Sequence, residues 1–222
     1  MELQEALQER HSVRDYTDQP IDPAAVRRLE EEIAACDRAG GLHIQLATGE
    51  PEAFTGLLPH YGKFRGVRNY LAMVGPKGPA LEETVGYYGQ RLVLCAQQLG
   101  LNSCWVALTF RKGKVRCEIA PGEKLACVIS LGYGVTQGVP HKSRPMADLC
   151  RVDGDMPDWF RRGMEAAMLA PTAMNQQKFR FTLQGDTVAL ESTGGFYSHI
   201  DLGIVKYQFE VGAAGASFRW AL

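Results

Sequence analysis

Apolar positions follow helical and strand periodicities in turn over the whole length of the chain. Helical spacing predicts helices over 3–10, from the Asp22-Pro23 start signal to Gly40-Gly41, and over 84–99, 114–119, 156–170 and about 200–215. Short apolar runs between turn residues predict strands over 42–48, 69–75, 104–108, 125–131, 178–183 and 187–192, with Gly185-Asp186 as a hairpin turn. Because the two kinds of element are mixed throughout, the predicted class is α+β, a sheet covered by helices.

Composition and net charge limit the class of protein and the binding partners that can be expected. The 222 residues are 45% hydrophobic and 22% charged, which is typical of a globular chain, and 24 basic against 25 acidic residues give a net charge of -1. Because there is no excess of charge, nucleic acid and membrane surfaces are not expected partners, and a small molecule is. A charged N-terminal segment and the lack of a run of about 18 apolar residues predict a cytoplasmic location.

Six cysteines are scattered along the chain without a C-x-x-C pair and without a histidine at metal-ligand spacing. Several stand inside apolar runs, such as L-V-L-C-A-Q-Q-L-G-L, where a thiol behaves as a small buried hydrophobe. The sequence therefore predicts reduced cysteines, no disulfide framework and no metal site.

Two blocks of sequence repeat in the same order. Residues 30–50 align with 161–186 as a helix, a break and a strand ending at a glycine turn, and residues 85–105 align with 201–220 as a bulky helix closing on tryptophan. This order predicts two tandem copies of one unit, 1–150 and a shortened 151–222, that imitate a dimer inside one chain. Chance similarity between amphipathic helices followed by strands is the alternative.

Arg10-His11-Ser12-Val13-Arg14 places two guanidiniums, an imidazole and a hydroxyl at the end of a predicted helix. Planar guanidinium groups bind oxyanions and ring carbonyls through paired hydrogen bonds, so the segment is suited to a phosphate or a polar heterocycle. A basic helix terminus that complements the helix dipole would have the same composition. Taken alone, the segment does not distinguish the two interpretations.

The second polar segment is Ala170-Pro171-Thr172-Ala173-Met174-Asn175-Gln176-Gln177, which follows the predicted helix over 156–170. Its proline ends the helix, and its small residues allow the backbone to approach a flat ligand closely. Asn and Gln then provide amide donors and acceptors for a ring edge. A capped helix end followed by a polar loop is the alternative interpretation.

Four motifs together resemble the nitroreductase and flavin reductase family. They are R-H-S-V-R-x-Y at 10–16, G-L-N-S-C-W at 100–105, I-S-L-G-Y-G followed by K-S-R-P at 129–145, and A-P-T-A-x-N-Q-Q at 170–177. In ordinary members the proline-led loop comes soon after the Arg-Ser-Arg turn, whereas here it stands in the second repeat. The chain therefore resembles the divergent nitroreductase branch in which a single chain imitates the dimer.

The resemblance implies one FMN per chain, with contacts from both copies and with NADH or NADPH as the co-substrate. In the first copy, Arg10, His11 and Ser12 correspond to the ribityl phosphate side, Arg14 to the pyrimidine edge, the backbone around Ala107 and Leu108 to the flavin N5 hydrogen bond, and Lys142 and Arg144 to the late phosphate-binding pair. In the second copy, the isoalloxazine contacts are Pro171, Thr172, Ala173, Asn175 and Gln176. The mirror-image site lacks both motifs.

The implied reaction moves a hydride from NAD(P)H to FMN and then to a nitroaromatic, a quinone or a similar small acceptor, in alternating half-reactions. It requires no dedicated acid, base or nucleophile, so no catalytic residue is assigned. A non-catalytic flavin carrier or sensor is the alternative, and a transferase or a structural α+β protein would be colourless. The expected state is a monomer with an internal pseudo-dimer, and further self-association is left open.

Overall fold

The strongest periodic segments of the sequence form the longest helices of the computed structural model, which describes residues 1–221. The helices are α1 (Leu3–Glu9), α2 (Pro23–Gly40), α3 (Leu57–Tyr61), α4 (Leu81–Gln98), α5 (Met146–Leu149), α6 (Asp158–Met168) and α7 (Ser198–Gly212). The strands are β1 (Gln45–Ala47), β2 (Asn69–Pro76), β3 (Asn102–Val106), β4 (Glu123–Gly132), β5 (Cys150–Val152), β6 (Phe179–Gln184), β7 (Thr187–Ser192) and β8 (Arg219–Trp220). The predicted α+β class is confirmed.

The described chain divides into two compact units. The first comprises Met1–Leu81 and Arg91–Pro140, and the second comprises Glu82–Gln90 and the described part of His141–Leu222. Helix α4 is divided between the two units. Residues 82–90 belong to the second unit, whereas Leu81 and residues 91–98 belong to the first. Compactness does not identify sequence copies, so the predicted boundary after residue 150 stays a prediction.

The first unit contains a four-stranded antiparallel sheet in the order β1-β2-β4-β3. Successive side chains of a strand point to opposite faces, and both faces of β2 are covered, because every residue from Asn69 to Gly75 is buried. Tyr70, Ala72 and Val74 belong to a core cluster that also contains Phe54. This continuous burial explains why β2 reads as an apolar run instead of an alternating one.

The second unit contains a mixed sheet in the order β5-β6-β7-β8. Strands β6 and β7 form the predicted hairpin, with Gln184 opposite Thr187, and Gly185 adopts a φ of 60° that favours glycine. Strands β5 and β8 pair in parallel with β6 and β7 respectively. The sequence predicts a single sheet covered by helices, whereas the structure contains two four-stranded sheets, one in each unit.

Aromatic side chains fill the core of the second unit around Phe209 of α7, which is fully buried. Its ring stacks on Phe181 of β6 with centroids 4.7 Å apart, and it meets Phe160 of α6 edge to face at 5.3 Å. Phe218 and Trp220 lie within 5.7 Å of the same ring. Helix α7 is therefore held against α6 and the sheet by one aromatic cluster.

Helix α7 also crosses the first half of α4 at two glycines. A Cβ atom added to Gly203 would overlap the backbone oxygen of Glu83 and lie 2.5 Å from the backbone nitrogen of Tyr87. A Cβ atom added to Gly86 would overlap the backbone oxygen of Ile200 and lie 3.1 Å from the Cα atom of Gly203. Only glycine allows two helix backbones to approach this closely without rearrangement.

The predicted helix over 114–119 is wrong. A short 3-10 helix occupies Lys112–Lys114, and the chain is irregular beyond it. Side chains from the first unit take the backbone bonds that a helix would have used: the Tyr70 hydroxyl accepts from Arg116 N at 2.8 Å, and the Gln45 amide both accepts from Glu118 N at 2.7 Å and donates to Glu118 O at 2.8 Å. Tertiary hydrogen bonds thus override the local helical spacing.

Between residues 1 and 221, no helix combines the length and the hydrophobicity that crossing a membrane requires. The same residues bring no three histidine, cysteine or acidic side chains together in an arrangement able to hold a metal ion. All six cysteines are free thiols. The cytoplasmic location stays a prediction.

Candidate functional site

The basic segment over 10–14 lies in the first unit, directly after α1. Its backbone runs beside β3, because Ser12 forms a parallel bridge with Ser103 and Val13 N donates to Ser103 O at 3.0 Å. Val13 is buried, His11 and Ser12 are half-buried, and Arg14 is exposed. The segment is therefore fixed by the sheet at its centre and presents polar side chains on both sides of that point.

Arg10 and His11, at the start of this segment, both have lowered pKa values. Arg10 is 3% exposed, and burial lowers the pKa of its guanidinium to about 10. The pKa of His11 is also lowered, first by partial burial and then by the neighbouring charge of Arg10. His11 is therefore neutral at pH 7, and the positive charge of the segment comes from its two arginines.

Tyr16 secures the far end of the segment from inside the core. Its hydroxyl donates to Val13 O at 2.7 Å and lies 2.8 Å from the Ser130 hydroxyl on β4, and burial raises its pKa well above the usual range. The ring leaves no room for a side chain at Gly132, the last residue of β4, because a Cβ atom there would lie 2.9 Å from the ring. The turn that carries Arg14 is thus tied to the central strand of the sheet.

We expect Tyr16→Phe to lower the free energy of unfolding by about 1–2 kcal/mol, because it removes the donor to Val13 O and a partner of Ser130. Urea titration followed by circular dichroism measures the change. Tyr61→Phe is the matched control, since the Tyr61 side chain is 84% exposed and its hydroxyl should contribute nothing measurable. Equal stability of the two variants would contradict this role of Tyr16.

Arg14 is placed by an aromatic ring and a backbone bond. Its guanidinium carbon lies 5.9 Å from the centroid of the buried Phe64 ring, which is within the range of a cation–π interaction. Its carbonyl accepts from Arg65 N at 2.9 Å. Ala107 and Leu108, the other predicted contacts of the first unit, directly follow β3, and Leu108 is 67% exposed.

In the second unit, Gln177 joins two segments that the sequence predicted separately. Its amide oxygen accepts from Arg144 N at 2.8 Å, and its amide nitrogen donates to Lys142 O at 2.8 Å and to Asn175 Oδ1 at 2.9 Å. Asn175 donates to Lys142 O as well, at 3.0 Å. The segment over 142–144 and the loop over 170–177 are therefore brought together.

The loop over 170–177 is tightly bent. Met174, Asn175 and Gln177 have φ values of 52°, 53° and 47°, a left-handed conformation that side chains other than glycine adopt at a cost. Thr172 stabilises the bend, because its hydroxyl accepts from Gln177 N at 3.1 Å. The bend leaves the Met174 side chain 92% exposed.

Asp201 of α7 also stabilises the loop over 170–177. Its side chain accepts from Ala173 N at 2.9 Å and from Gln176 Nε2 at 2.8 Å, although the residue is only 5% exposed. Burial raises the pKa of the carboxyl to about 6, and these two hydrogen bonds offset part of that effect. Sequence reasoning missed both Gln177 and Asp201 as supports. A carboxylate inside the apolar stretch I-D-L-G-I-V was the one available signal.

The predicted site residues thus fall into one group in each unit. Arg10, His11, Ser12, Arg14, Ala107 and Leu108 lie in the first unit, around the start and the end of β3. Lys142, Arg144, Pro171, Thr172, Ala173, Asn175 and Gln176 lie in the second unit, on two segments joined by Gln177. Both groups offer cations and a hydroxyl, and the second group also offers the side-chain amides of Asn175 and Gln176.

Comparison with known families gives a match that covers most of the chain. A family profile described as "Putative TM nitroreductase" matches residues 2–213. A search of curated protein sequences finds no significant match.

Several solved structures share the fold at low sequence identity. A protein described as a putative nitroreductase from Thermotoga maritima is 20% identical with a TM-score of 0.67, and the alignment covers 96% of this chain and 83% of that one. A putative nitroreductase from Desulfovibrio desulfuricans in complex with FMN is 17% identical (TM-score 0.53; 67% and 94% covered). A nitroreductase family protein from Streptococcus pneumoniae is 16% identical (TM-score 0.54; 66% and 98% covered).

Proposed function

The chain belongs to the family described as "Putative TM nitroreductase", and from this premise we propose that it is an FMN-dependent NAD(P)H oxidoreductase. The family match over residues 2–213 carries the proposal, since it extends through both compact units. The FMN complex of the Desulfovibrio desulfuricans protein, which shares the fold, supports the choice of cofactor. The proposed acceptors are nitroaromatics, quinones or similar small molecules.

The donor set of the chain fits FMN. The cofactor carries an anionic phosphate and a ring edge of carbonyl and N–H groups, which call for cations, hydroxyls and amides. Neither the segment over 10–14 nor the loop over 170–177 contains a carboxylate. The proposed contacts are those that the resemblance of the sequence motifs to the family implies: Arg10, His11, Ser12, Arg14, Ala107, Leu108, Lys142, Arg144, Pro171, Thr172, Ala173, Asn175 and Gln176.

When bound, FMN supplies the hydride-transfer chemistry, and the chain binds it, orients it and adjusts the charge at its edge. Arg14, held over the ring of Phe64, would bring a positive charge to the pyrimidine edge. Gln177 and Asp201 fix the loop that would line the flat face. Because none of the proposed contacts needs to exchange a proton with substrate, no catalytic acid or base is assigned.

We further propose that the chain contains two copies of one unit, and the order of elements supports this. Apart from the short helix α3, which lies between β1 and β2, the series α2-β1-β2-α4-β3 is followed later in the chain by α6-β6-β7-α7-β8 in the same order. Both β1-β2 and β6-β7 are antiparallel pairs. Strand β3 runs parallel to β2 through the intervening β4, and β8 runs parallel to β7 directly. The second copy is thus a shortened version that lacks an equivalent of β4.

The crossing of α4 and α7 gives independent support for the two copies. Gly86 and Gly203 each stand near the start of one of the two aligned blocks. Each glycine contacts the carbonyl of the residue three positions before the other, Ile200 and Glu83 respectively. Reciprocal contacts of this kind are produced by a twofold axis between equivalent segments. In addition, the Desulfovibrio desulfuricans protein is matched over 94% of its length by only 67% of this chain.

The proposed function is tested on the purified protein. We expect a yellow protein with one FMN per chain, bleached by NADH or NADPH without oxygen and reoxidised by menadione or a nitroaromatic. Arg14→Gln should weaken FMN binding about tenfold or more, because it removes a charged hydrogen-bond donor. Fluorescence titration with FMN measures the dissociation constant.

Arg27→Gln is the matched control, since Arg27 is an exposed arginine of α2 outside the proposed contacts. If dithionite reduces the bound flavin but NADH and NADPH do not, the protein is a flavin carrier or sensor and not an oxidoreductase. A colourless protein with no affinity for FMN would refute the proposed function. An Arg14→Gln variant that binds FMN as tightly as Arg27→Gln would remove Arg14 from the contacts.

A further inference from the structure

The carboxylate of Asp201 makes two bonds to one loop. It lies in the first turn of α7, and it accepts from the backbone of Ala173 at 2.9 Å and from the side chain of Gln176 at 2.8 Å. These two donors stand three positions apart, on either side of Met174 and Asn175. One buried side chain therefore holds the tight bend of the loop at both of its ends.

The amide of Gln176 cannot adapt easily to a change in Asp201. Its nitrogen donates both to Asp201 Oδ2 and to Phe196 O, at 2.8 Å and 2.7 Å, so both of its hydrogens are used. Its oxygen lies against Gly195, where a Cβ atom would overlap it. Turning the amide to present its oxygen to Asp201 would break the bond to Phe196. The donors of Ala173 and Gln176 therefore require residue 201 to present a hydrogen-bond acceptor at both of its side-chain oxygens.

An ionised carboxylate at this place opposes folding. Burial raises the pKa of Asp201 to about 6, so ionisation at neutral pH costs the folded chain free energy. The causes of this shift are burial, which raises the pKa, and the hydrogen bonds from Gln176 and Ala173, which lower it. The charged or titratable residues of α7 and of the first half of α4 are Glu82, Glu83, Tyr87, Tyr88, His199, Lys206, Tyr207 and Glu210, and those beside the loop are Lys142, Arg144, Lys178 and Tyr197. Lys206 pairs with Glu83 at 3.3 Å. A costly charge in this position indicates a role other than stability.

We propose that Asp201 is a positioning residue whose ionised carboxylate holds the loop over 170–177 in the conformation that binds flavin. The inference rests on the proposed function, because this loop is part of the proposed FMN site. Protonation removes the charge and places a hydrogen on one of the two oxygens, which becomes a much weaker acceptor for its donor. The loop therefore loosens when Asp201 is protonated, and FMN binding weakens with it.

The test compares the full-length wild-type protein with Asp201→Asn, which keeps the shape but offers one acceptor in place of two. At pH 8 we expect the variant to bind FMN at least about tenfold more weakly, which corresponds to the loss of one charged hydrogen bond. The readout is the ratio of the two dissociation constants against pH, because titration of the FMN phosphate and of His11 affects both proteins. This ratio should fall towards one as the pH is lowered through the pKa of about 6 and the wild-type carboxyl becomes protonated.

Hydrogen exchange of the backbone amides over 170–177, in the protein without FMN, is the second readout. We expect faster exchange in Asp201→Asn at pH 8 and no change in Asp155→Asn, whose side chain is exposed. A ratio that does not vary with pH, or unchanged exchange in Asp201→Asn, overturns the proposal. Should the wild-type protein bind no FMN, the proposed function fails, whereas exchange still shows whether Asp201 holds the loop. If Asp201→Asn does not fold, Gln176→Met can be used in its place. It removes one of the two donors to Asp201 and should likewise accelerate exchange of the backbone amides over 170–177.

Discussion

Gly203→Ala is expected to lower the free energy of unfolding by about 3 kcal/mol, even though alanine has the higher helix propensity by about 1 kcal/mol. The added methyl group would overlap the carbonyl of Glu83 and lie 2.5 Å from Tyr87 N, both backbone atoms of α4. Because backbone inside a helix cannot yield as a side chain can, the two helices must separate. Chemical denaturation followed by circular dichroism measures the loss.

Two further variants make this prediction specific. Gly113→Ala is the control, because a Cβ atom there has no neighbour within 4 Å, and its stability should stay within about 0.5 kcal/mol of wild type. Gly86→Ala should destabilise like Gly203→Ala, but the double variant should lose less than the sum, since one separation of the helices relieves both contacts. A Gly203→Ala protein as stable as wild type would contradict the close crossing.

Gln177→Met is expected to lower the free energy of unfolding by about 3 kcal/mol and to abolish most FMN binding. Methionine has a similar size and no hydrogen-bonding amide, so the variant leaves Arg144 N without its acceptor and takes a donor from Lys142 O and Asn175 Oδ1. Buried polar groups that lose a partner cost about 1–3 kcal/mol each. Since the same bonds join the segment over 142–144 to the loop, stability and flavin affinity should fall together.

The control for this experiment is Gln184→Met at the exposed end of β6, which makes the same chemical change at the surface. Thermal unfolding with and without added FMN separates the two effects. If Gln177→Met were as stable as Gln184→Met, the hydrogen-bonded network would not hold the segments. If it were less stable but bound FMN normally, the loop would not belong to the flavin site.

The sequence predicts the elements whose signals are local. Helix α2 has an aspartate at its N-cap, a proline at its first position and a glycine after its end, and its observed bounds follow these signals. Strand β7 is found at the predicted residues, because the Gly185-Asp186 turn fixes the register of the hairpin. Strands β5 and β8 were missed, since two or three residues are too few to show a period.

The supports of the candidate site were harder to predict than its proposed contacts. Cationic and amide residues are recognisable from their chemistry, whereas the roles of Gln177 and Asp201 depend on partners that are distant in sequence. Ala173 lies 28 positions from Asp201, and Lys142 lies 35 positions from Gln177. In the sequence Gln177 is one more polar residue of a loop, whereas in the structure it is only 3% exposed. Only the fold shows which polar side chain faces inward.

The reciprocal contact between Gly86 and Gly203 is made within one polypeptide. Its formation is therefore a unimolecular event, and no translational entropy is lost when the helices meet. The equilibrium between folded and unfolded chain consequently has no concentration term at this crossing, unlike that of a dimer built from identical subunits. A single substitution also alters one side of the crossing at a time, so the two sides can diverge independently.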